Sequence, residues 1–497
     1  MHRSLNPVDF YLPPTENPAT QIESVLSAGN FGLALRLSDK LVATSKRSLL
    51  GWISRARSNL GLGRICDADE DLDVAIRLAP DDAQANLLRG MVDQRLGRID
   101  RAVDRLRKLA ASKSPYAIEA SVMFAETLYF SHRRDEFRKF VEAGGAWTND
   151  ARGTLMTARV RAVADPSGAI EDLLAITRGT SSVVLRRVAG FDAVQMFDKM
   201  ARYREAFDLA AHLHSTTTPP FDVDGLLDTV RAQRELLKQG RAWCAPRVES
   251  VTGVAMVVGL PRCGTTLLEQ MLDGHTKISG IGEYDGVEIM GTGIVSTGIP
   301  MRNLSMLPRE AGEALQSAYL RGAMRLRRDG AQWVFDKNLR AWKWLPVVAA
   351  ILPGAVCFHV ARDPRDMAIS TFLSFFNPIT DGWTGKIDSL RSVIEAERSI
   401  LPNALETLGI PHESIVYENL VADPTGHAKR CLDRLGLEAQ ASVLQPEQNK
   451  RAVFTLSHEQ VRKPINNSSI GRWKNYAWAF GGAWDSLAAA HDARRTC

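Results

Sequence analysis

Two patterns of apolar and polar positions divide the chain near its middle. Up to about residue 215, apolar residues recur at the spacing of amphipathic helices, and short polar turns separate one helix from the next. From Val254 onward, short β-branched apolar runs alternate with helical segments. Alternation of this kind is typical of a parallel sheet with crossover helices. The pattern therefore predicts an all-α first part and an α/β second part.

The first part repeats itself every 34 residues. Three glycines and three alanines recur at this spacing: Gly29, Gly63 and Gly97, with Ala34, Ala68 and Ala102. A 34-residue period with helix–turn–helix patterning is typical of tetratricopeptide repeats, whose units bury their apolar faces only against neighbouring units. In the second unit, the small residues Ala56 and Ala68 allow two helices to approach closely, and Leu72 fills the groove beside them. The sequence predicts a solenoid of five to six units over residues 18–215.

A linker with one helix is predicted over residues 216–250, because Thr216–Pro220 forms a break and a helix-like stretch follows it. The second domain is predicted over residues 251–485. Four apolar runs predict its buried strands: Val254–Gly259, Trp333–Phe335, Ala355–Val360 and Ser414–Tyr417. Ligands of such domains bind at the carboxyl ends of the strands, so residues that follow these runs are candidates for a functional site.

The segment Gly259–Thr266 reads G-L-P-R-C-G-T-T and lies between the first predicted strand and a helix start. This geometry directs backbone N–H groups and the helix dipole at an anion. In nucleoside-triphosphate hydrolases the same loop carries a lysine that contacts the β- and γ-phosphates. Thr265 occupies the position of that lysine. The loop therefore predicts a phosphate site that is poorly suited to triphosphate hydrolysis.

A second anion site is predicted at the end of the third run. Arg362 lies at the end of that predicted strand, after Ala361, and Ser370 lies about two helical turns further on. Together they offer a fork of N–H donors and a hydroxyl to a phosphate. A third stretch, Ser457–Lys474, gathers further basic and hydroxyl residues. Two separate anion sites without a triphosphate lysine indicate a nucleotide that is phosphorylated at two positions.

The motifs P-R-C-G-T-T, R-D-P-R-x-x-x-x-S and G-R-W-K together resemble sulfotransferases that use 3′-phosphoadenylyl sulfate. Their order and spacing are most similar to the tyrosylprotein sulfotransferases, and the resemblance covers about residues 250–480. It implies a P-loop-like α/β domain with a central parallel sheet. A repeat array fused to such a domain looks like bacterial tetratricopeptide sulfotransferases with no assigned acceptor.

The resemblance also implies a set of cofactor-binding residues. In the family the loop binds the 5′-phosphosulfate, an arginine and a serine bind the 3′-phosphate, a Y-E-x-L tyrosine lies near the adenosine, and a late segment folds over the cofactor. The matching residues here are Arg262, Cys263, Gly264, Thr265 and Thr266 in the loop, Arg362 and Ser370, Tyr417, Ser457, Lys463 and Asn466 in the late segment, and Arg472 before the late tryptophan.

Sulfuryl transfer needs a base for the acceptor and positive charge for the leaving nucleotide. The resemblance implies that Glu283 is the base. It also implies that Lys337 contacts the oxygen that bridges phosphate and sulfate in the donor, and that Arg262 and Ser457 stabilise the same charge. His458 is a reserve candidate for the base. No metal is expected, because the sulfuryl group carries less charge than a phosphoryl group.

The sequence departs from the tyrosylprotein branch around the acceptor. The arginines that follow the catalytic glutamate in that branch are replaced by Tyr284, Asp285, Gly286 and Ile289, and Ser374 replaces an arginine four positions after the 3′-phosphate serine. A preference for acidic tyrosine peptides is therefore not implied. The acceptor hydroxyl or amine stays open among peptide, glycan, lipid and small metabolite.

Composition is that of a soluble globular protein: 497 residues, 45% hydrophobic and 24% charged, with a formal net charge of +5. Six cysteines lack paired metal or disulfide spacing, and no leader-like or membrane-length apolar segment occurs. We expect a cytoplasmic protein without nucleic-acid or membrane partners. A peptide or protein partner on the repeat surface and a homodimer are both left open.

Two other functions are compatible with the residues. An atypical P-loop kinase or hydrolase would use Lys337 beside Asp336 for the phosphates and Mg²⁺. Alternatively, the chain is a repeat scaffold whose inactive transferase domain senses a nucleotide. Mg²⁺-dependent ATP turnover would indicate the first function, and 3′,5′-ADP binding without any transfer would indicate the second.

Overall fold

The structure, a computed structural model, describes residues 17–449, 451 and 462–495. The chain divides into two compact units between residues 128 and 129. The boundaries predicted at residues 215 and 250 stay predictions. In the described ranges, no helix is both long enough and apolar enough to cross a membrane.

Most helices in the described residues up to 217 pack as consecutive pairs, which confirms the predicted helical, tetratricopeptide-like N-terminal region. Helices packed as consecutive pairs are α1 with α2, α3 with α4, α5 with α6, α9 with α10, and α11 with α12. The helices are α1 (Pro18–Ser27), α2 (Phe31–Thr44), α3 (Leu49–Gly61), α4 (Ile65–Leu78), α5 (Ala83–Arg95), α6 (Ile99–Ala110), α7 (Ala117–Phe130), α8 (Arg134–Ala143), α9 (Ala151–Arg161), α10 (Pro166–Gly179), α11 (Val183–Lys199), α12 (Tyr203–Thr217) and α13 (Val223–Leu237).

The recurring glycines lie in the turns inside the helix pairs. Gly29, Gly63 and Gly97 have φ of 73°, 77° and 72°, a left-handed conformation that a side chain disfavours. In each turn the next residue's N–H returns to a carbonyl five positions earlier, as Arg64 N–H does to Asn59 O at 2.8 Å. This is the Schellman ending of a helix. The repeat of glycine therefore reflects a repeated helix ending.

The first unit is held by close contacts between neighbouring helices. Ala56, Ala68 and Leu72 form a fully buried cluster together with Val92 of the next pair. The small side chains at positions 56 and 68 bring α3 and α4 together, as the sequence predicted. Apolar burial here is shared between successive pairs, as expected for repeats that do not form a core alone.

A five-stranded, all-parallel sheet forms the centre of the second unit, with the order β2-β3-β1-β4-β5. The prediction of a parallel α/β domain is confirmed. The strands are β1 (Val254–Val258), β2 (Ile278–Gly282), β3 (Trp333–Asp336), β4 (Val356–Ala361) and β5 (His412–Val416). Every residue of β1 is buried, because this strand has a neighbour on both sides. Helices connect the strands and cover the sheet.

Nine α-helices accompany the sheet among the described residues. They are α14 (Thr265–Asp273), α15 (Gly286–Ser296), α16 (Arg309–Leu326), α17 (Leu345–Ile351), α18 (Pro364–Phe372), α19 (Ile387–Thr407), α20 (Tyr417–Ala422), α21 (Pro424–Arg434) and α22 (Gly482–Arg495). Helix α14 starts directly after the Gly259–Thr266 loop, and α18 carries Ser370.

The helix pair α11 and α12 holds the C-terminal end of α18. The last carbonyl groups of a helix lack partners within the helix itself. Here two side chains donate to this end of the helix, His214 to Phe372 O at 2.9 Å and Gln195 to the C-cap carbonyl of Leu373 at 2.6 Å. Arg187 donates to Phe376 O at 3.1 Å in the segment that follows the helix. Burial lowers the pKa of His214 to about 4, so the ring is neutral and donates through Nε2. Helix α18 is thus fixed by two helices of the repeat-like region.

Candidate active site

The five strands all end at one edge of the sheet, and a predicted site residue follows each of them. After β1 comes Gly259, after β2 Glu283, after β3 Lys337, after β4 Arg362, and after β5 Tyr417. Parallel strands place their carboxyl ends together. Residues from five separate parts of the chain therefore meet at this edge.

The loop Gly259–Thr266 adopts a conformation that depends on its glycines. Gly259 has φ of 143° and Gly264 has φ of 103°. A Cβ at Gly264 would lie 2.3 Å from Cδ2 of Tyr417, so the loop and the tyrosine ring pack against each other. Arg262 is also left-handed, with φ of 67°, a strain that is typical of functional loops. Thr265 and Thr266 are buried in the first turn of α14.

Three of the predicted nucleotide-binding residues contact one another. Arg262 Nε donates to Ser370 Oγ at 2.8 Å, and Arg362 Nη1 donates to Arg262 O at 2.8 Å. The Arg362 guanidinium lies over the Tyr417 ring, 4.9 Å from its centre, and Arg362 Nη2 donates to Ser469 O. The structure thus brings together the loop, the predicted 3′-phosphate pair and the tyrosine.

Positive charge is concentrated at this point. Burial, and then the charges of Arg362 and Arg472, lower the pKa of Arg262 to about 9. The buried Nε of Arg362 has no hydrogen-bond partner among the described residues. Guanidinium groups held close together are stabilised by a multiply charged anion. We call the three arginines Arg262, Arg362 and Arg472, together with the Ser370 hydroxyl that accepts from Arg262, the guanidinium cluster.

Two aspartates bind the segment that contains Arg472. Asp366 of α18 accepts from Gly471 N at 2.7 Å and from Trp473 N at 2.8 Å, on either side of Arg472. Arg472 Nη2 itself pairs with Oδ2 of Asp198 in α11. The late G-R-W-K motif is therefore attached to the same helix that carries Ser370.

Glu283 and Lys337 form an ion pair at the ends of β2 and β3. Gly282 and Asp336 are partners in the parallel register, so the residues that follow them are neighbours. Lys337 Nζ donates to Glu283 Oε1 at 2.6 Å; the lysine side chain is 1% exposed and the glutamate side chain 52%. The arrangement presents a carboxylate to solvent with a buried ammonium group behind it.

A buried acid fixes the backbone that leads into Glu283. Gly282 N–H donates to Glu269 Oε1 at 2.9 Å, and Arg451 pairs with the same carboxylate at 2.6 Å. Glu269 lies in α14, the helix that follows the phosphate loop. The candidate base and the candidate phosphate loop therefore share one rigid support.

The remaining predicted residues are placed differently. Lys463 is exposed, and the exposed Asn466 bonds locally, donating to Pro464 O and accepting from Ser468 N. Ser457 and His458 lie outside the described residues. Cys263 is buried and its thiol donates to Leu260 O at 2.7 Å; burial raises its pKa to about 12, which disfavours a thiolate.

Asp336 shows why the kinase interpretation fits poorly. Its carboxyl group is buried and accepts from Tyr319 OH at 2.9 Å, while the adjacent Lys337 pairs with Glu283. Burial raises the pKa of Asp336 to about 8. Both side chains that a kinase would use for Mg²⁺ and the phosphates are therefore engaged in contacts within the protein.

Replacement of Asp336 with asparagine is expected to stabilise the protein more at pH 8.5 than at pH 5. The carboxyl pKa is about 8 when folded and about 3.9 when unfolded, so folding takes up a proton between these values. Its contribution to stability is therefore lost as the pH rises through this window. Asparagine resembles the neutral form at every pH. Thermal unfolding at both pH values measures the difference, and an equal shift in Tm would contradict this explanation.

Sequence reasoning missed three acids that organise the site. Asp366 and Glu418 lie inside the motifs R-D-P-R-D and Y-E-N-L, so their letters were visible. Glu418 accepts from Asp363 N at 2.9 Å and bonds His491 Nε2 at 3.0 Å, which joins the start of α18 to α20 and α22. Asp198 lies in a helix far from any motif, and no sequence signal indicates it.

Comparison with known proteins gives a consistent result. Residues 255–441 match the model of a family described as "Sulfotransferase family". An "Uncharacterized protein" of Aquifex aeolicus (strain VF5) is 24% identical over 59% of this chain and 40% of its own length. "Protein-tyrosine sulfotransferase 1" of Danio rerio is 26% identical over 43% of this chain and 64% of its own length. The chain thus spans less than two thirds of both relatives.

Among solved structures, the sulfotransferase domain from the Synechococcus PCC 7002 olefin synthase is 21% identical. The match covers 49% of this chain and 95% of that domain, with a TM-score of 0.36. The matched family region contains the phosphate loop and the ends of all five strands.

Proposed function

We propose, from the premise that residues 255–441 are a sulfotransferase-family domain, that the chain moves a sulfuryl group from 3′-phosphoadenylyl sulfate to a hydroxyl or amine acceptor. The observation that carries the proposal is the pairing of two features at one sheet edge. A guanidinium cluster suits a nucleotide with two anionic ends, and the Glu283–Lys337 ion pair suits proton and charge transfer.

The guanidinium cluster would bind the two phosphate ends of the donor. The N–H groups of the Gly259–Thr266 loop and the start of α14 face the 5′-phosphosulfate in this proposal, with Arg262 beside them. Arg362 and Ser370 bind the 3′-phosphate, and the unpartnered Nε of Arg362 among the described residues is a donor for it. Tyr417, under the Arg362 guanidinium, lies near the adenosine.

Glu283 and Lys337 would carry out the transfer. Glu283 takes the proton from the acceptor as the acceptor oxygen or nitrogen forms its bond to sulfur. The bond between sulfur and the bridging oxygen breaks, and its electron pair leaves with 3′,5′-ADP. Lys337 and Arg262 neutralise the charge that grows on that oxygen. The 2.6 Å ion pair holds base and ammonium in adjacent positions for the two tasks.

The surroundings of Glu283 bear on the acceptor. Arg340, three positions after Lys337, pairs with Asp381 at 3.1 Å and with Glu288 of α15 at 3.4 Å. Two carboxylates thus neutralise the charge of this arginine. In this proposal acidic tyrosine peptides are not favoured, although a protein acceptor and a peptide partner on the repeat surface remain part of it. A cytoplasmic location belongs to the same proposal.

The experiment that tests the proposed function is transfer of labelled sulfate from 3′-phosphoadenylyl sulfate by the purified full chain in a cell lysate. We expect a labelled species to form without added ATP, and its identification gives the acceptor. Lys337→Ala is the inactive control. Mg²⁺-dependent ATP turnover without sulfate transfer would favour a kinase, and 3′,5′-ADP binding without any labelled product would favour a nucleotide sensor.

A further inference from the structure

One carboxylate of the repeat-like region contacts the nucleotide-binding segment twice. Asp198 lies in the last turn of α11, and its side chain is 10% exposed. Its Oδ2 accepts from Arg472 Nη2, and its Oδ1 accepts from Tyr476 OH at 2.5 Å. Both partners belong to the short 3₁₀ segment Arg472–Ala479. Asp198 therefore holds this segment at its first residue and one turn later.

The neighbouring helix adds apolar contacts to the same segment. The Tyr203 ring of α12 lies 5.3 Å from the Tyr476 ring, and the Phe207 ring lies 6.4 Å from it. The same two helices also bond the last carbonyl groups of α18, which carries Ser370. Helices α11 and α12 thus contact two of the chain segments that supply the guanidinium cluster, α18 with Ser370 and the segment with Arg472.

Arg472 needs such a partner because it stands among like charges. The backbone on both sides of Arg472 is bonded to Asp366 of α18, whose Ser370 accepts from Arg262, and the charge of Arg472 contributes to the lowered pKa of Arg262. An arginine side chain also has many rotamers, and each must be restricted before a ligand is bound tightly. Asp198 offsets the repulsion and restricts the side chain at the same time.

We infer that Asp198 is a positioning residue for donor binding, which makes the helix pair α11 and α12 a part of the nucleotide site. The inference rests on the proposed function. The contact to Asp198 uses Nη2, and a guanidinium has five N–H donors. Arg472 is therefore able to keep Asp198 while another edge of the group binds a phosphate.

Titration of the full chain with 3′,5′-ADP tests this inference. Asp198→Asn keeps the size of the side chain and removes its charge, and we expect the Kd for 3′,5′-ADP to rise about tenfold, as for the loss of one charge-assisted contact. The KM for the donor rises by a similar factor, and kcat changes by less than about twofold. Asp192→Asn is the matched control, because Asp192 lies on the same helix as Asp198 but pairs with Arg159 of α9, at 2.7 Å.

A double-mutant cycle separates positioning from a general structural role. If Asp198 acts through Arg472, Asp198→Asn has no further effect on the Kd in an Arg472→Gln background. Tyr476→Phe removes the hydroxyl donor and leaves the Asp198 carboxylate with Arg472 alone, and we expect it to raise the Kd for 3′,5′-ADP by about threefold. This variant tests the inference if Asp198→Asn does not fold.

A Kd for 3′,5′-ADP that is unchanged in both Asp198→Asn and Tyr476→Phe overturns the inference. An equal loss of affinity from Asp198→Asn in the wild-type and Arg472→Gln backgrounds also overturns it, as does an equal loss of affinity in the control Asp192→Asn. If the wild-type chain itself does not bind 3′,5′-ADP, the proposed function fails and the inference fails with it. Wild-type binding together with an unaffected Asp198→Asn variant overturns the inference alone.

Discussion

Replacement of Glu283 with glutamine is expected to lower kcat by about 10²- to 10⁴-fold, the range for loss of a general base. Glutamine keeps the oxygen that accepts from Lys337 Nζ, so the 2.6 Å contact behind the site survives in the variant. The residues of the guanidinium cluster lie on other segments of the chain and are unchanged in this variant. Affinity for 3′,5′-ADP should therefore change by less than about twofold, and initial rates together with ADP titration measure both quantities.

Glu288→Gln is the control for this experiment. Glu288 lies in the first turn of α15, five positions after Glu283, and pairs with Arg340 rather than with Lys337. Loss of its charge should leave kcat within about threefold of the wild-type value. Turnover that persists in Glu283→Gln would remove Glu283 from the mechanism and assign the base to another residue.

Replacement of Arg362 with alanine is expected to raise the Kd for 3′,5′-ADP about 10- to 100-fold, because charge-assisted hydrogen bonds to a phosphate are lost. The Kd for 5′-AMP, which lacks the 3′-phosphate, should rise far less. Arg362 also donates to Arg262 O and Ser469 O, so some loss is expected for both nucleotides. The ratio of the two constants isolates the 3′-phosphate contact.

Arg391→Ala provides the matched control, since this arginine pairs with Glu395 on α19. It should leave both constants unchanged. An equal loss for both nucleotides in Arg362→Ala would instead make Arg362 a structural residue that only connects the loop to Ser469. Thermal unfolding of each variant shows whether a loss of binding reflects a loss of fold.

The sequence predicted those parts of the molecule that depend on local patterns. The repeat followed from glycines that recur because one left-handed helix ending recurs, as at Gly63. The sheet followed from apolar runs that are buried on both faces, as in β1. The positions of Glu283 and Lys337 followed from the strand ends. Their direct contact needed the parallel register between Gly282 and Asp336, which no local pattern states.

Other parts were not predictable because their cause lies in tertiary packing. Strand β2, with two glycines in five residues, gives a weak apolar signal and was not among the four predicted strands. The hydrogen bonds from Gln195 and His214 are accepted by backbone carbonyl groups, which every residue has, so the identity of the accepting residues does not indicate them. The same holds for Asp198, whose two partners lie more than 270 positions further along the chain.

The three bonds that α11 and α12 make to the end of α18 and to the segment after it have a consequence for how the chain can be divided. A fragment that starts at residue 251 would expose the carbonyl groups of Phe372, Leu373 and Phe376 to water and leave Arg472 without its carboxylate. Recombination or engineering that exchanges the repeats would succeed only with a breakpoint ahead of α11. The part of the chain that holds the candidate site is therefore longer than the matched region 255–441 and includes helices α11 and α12.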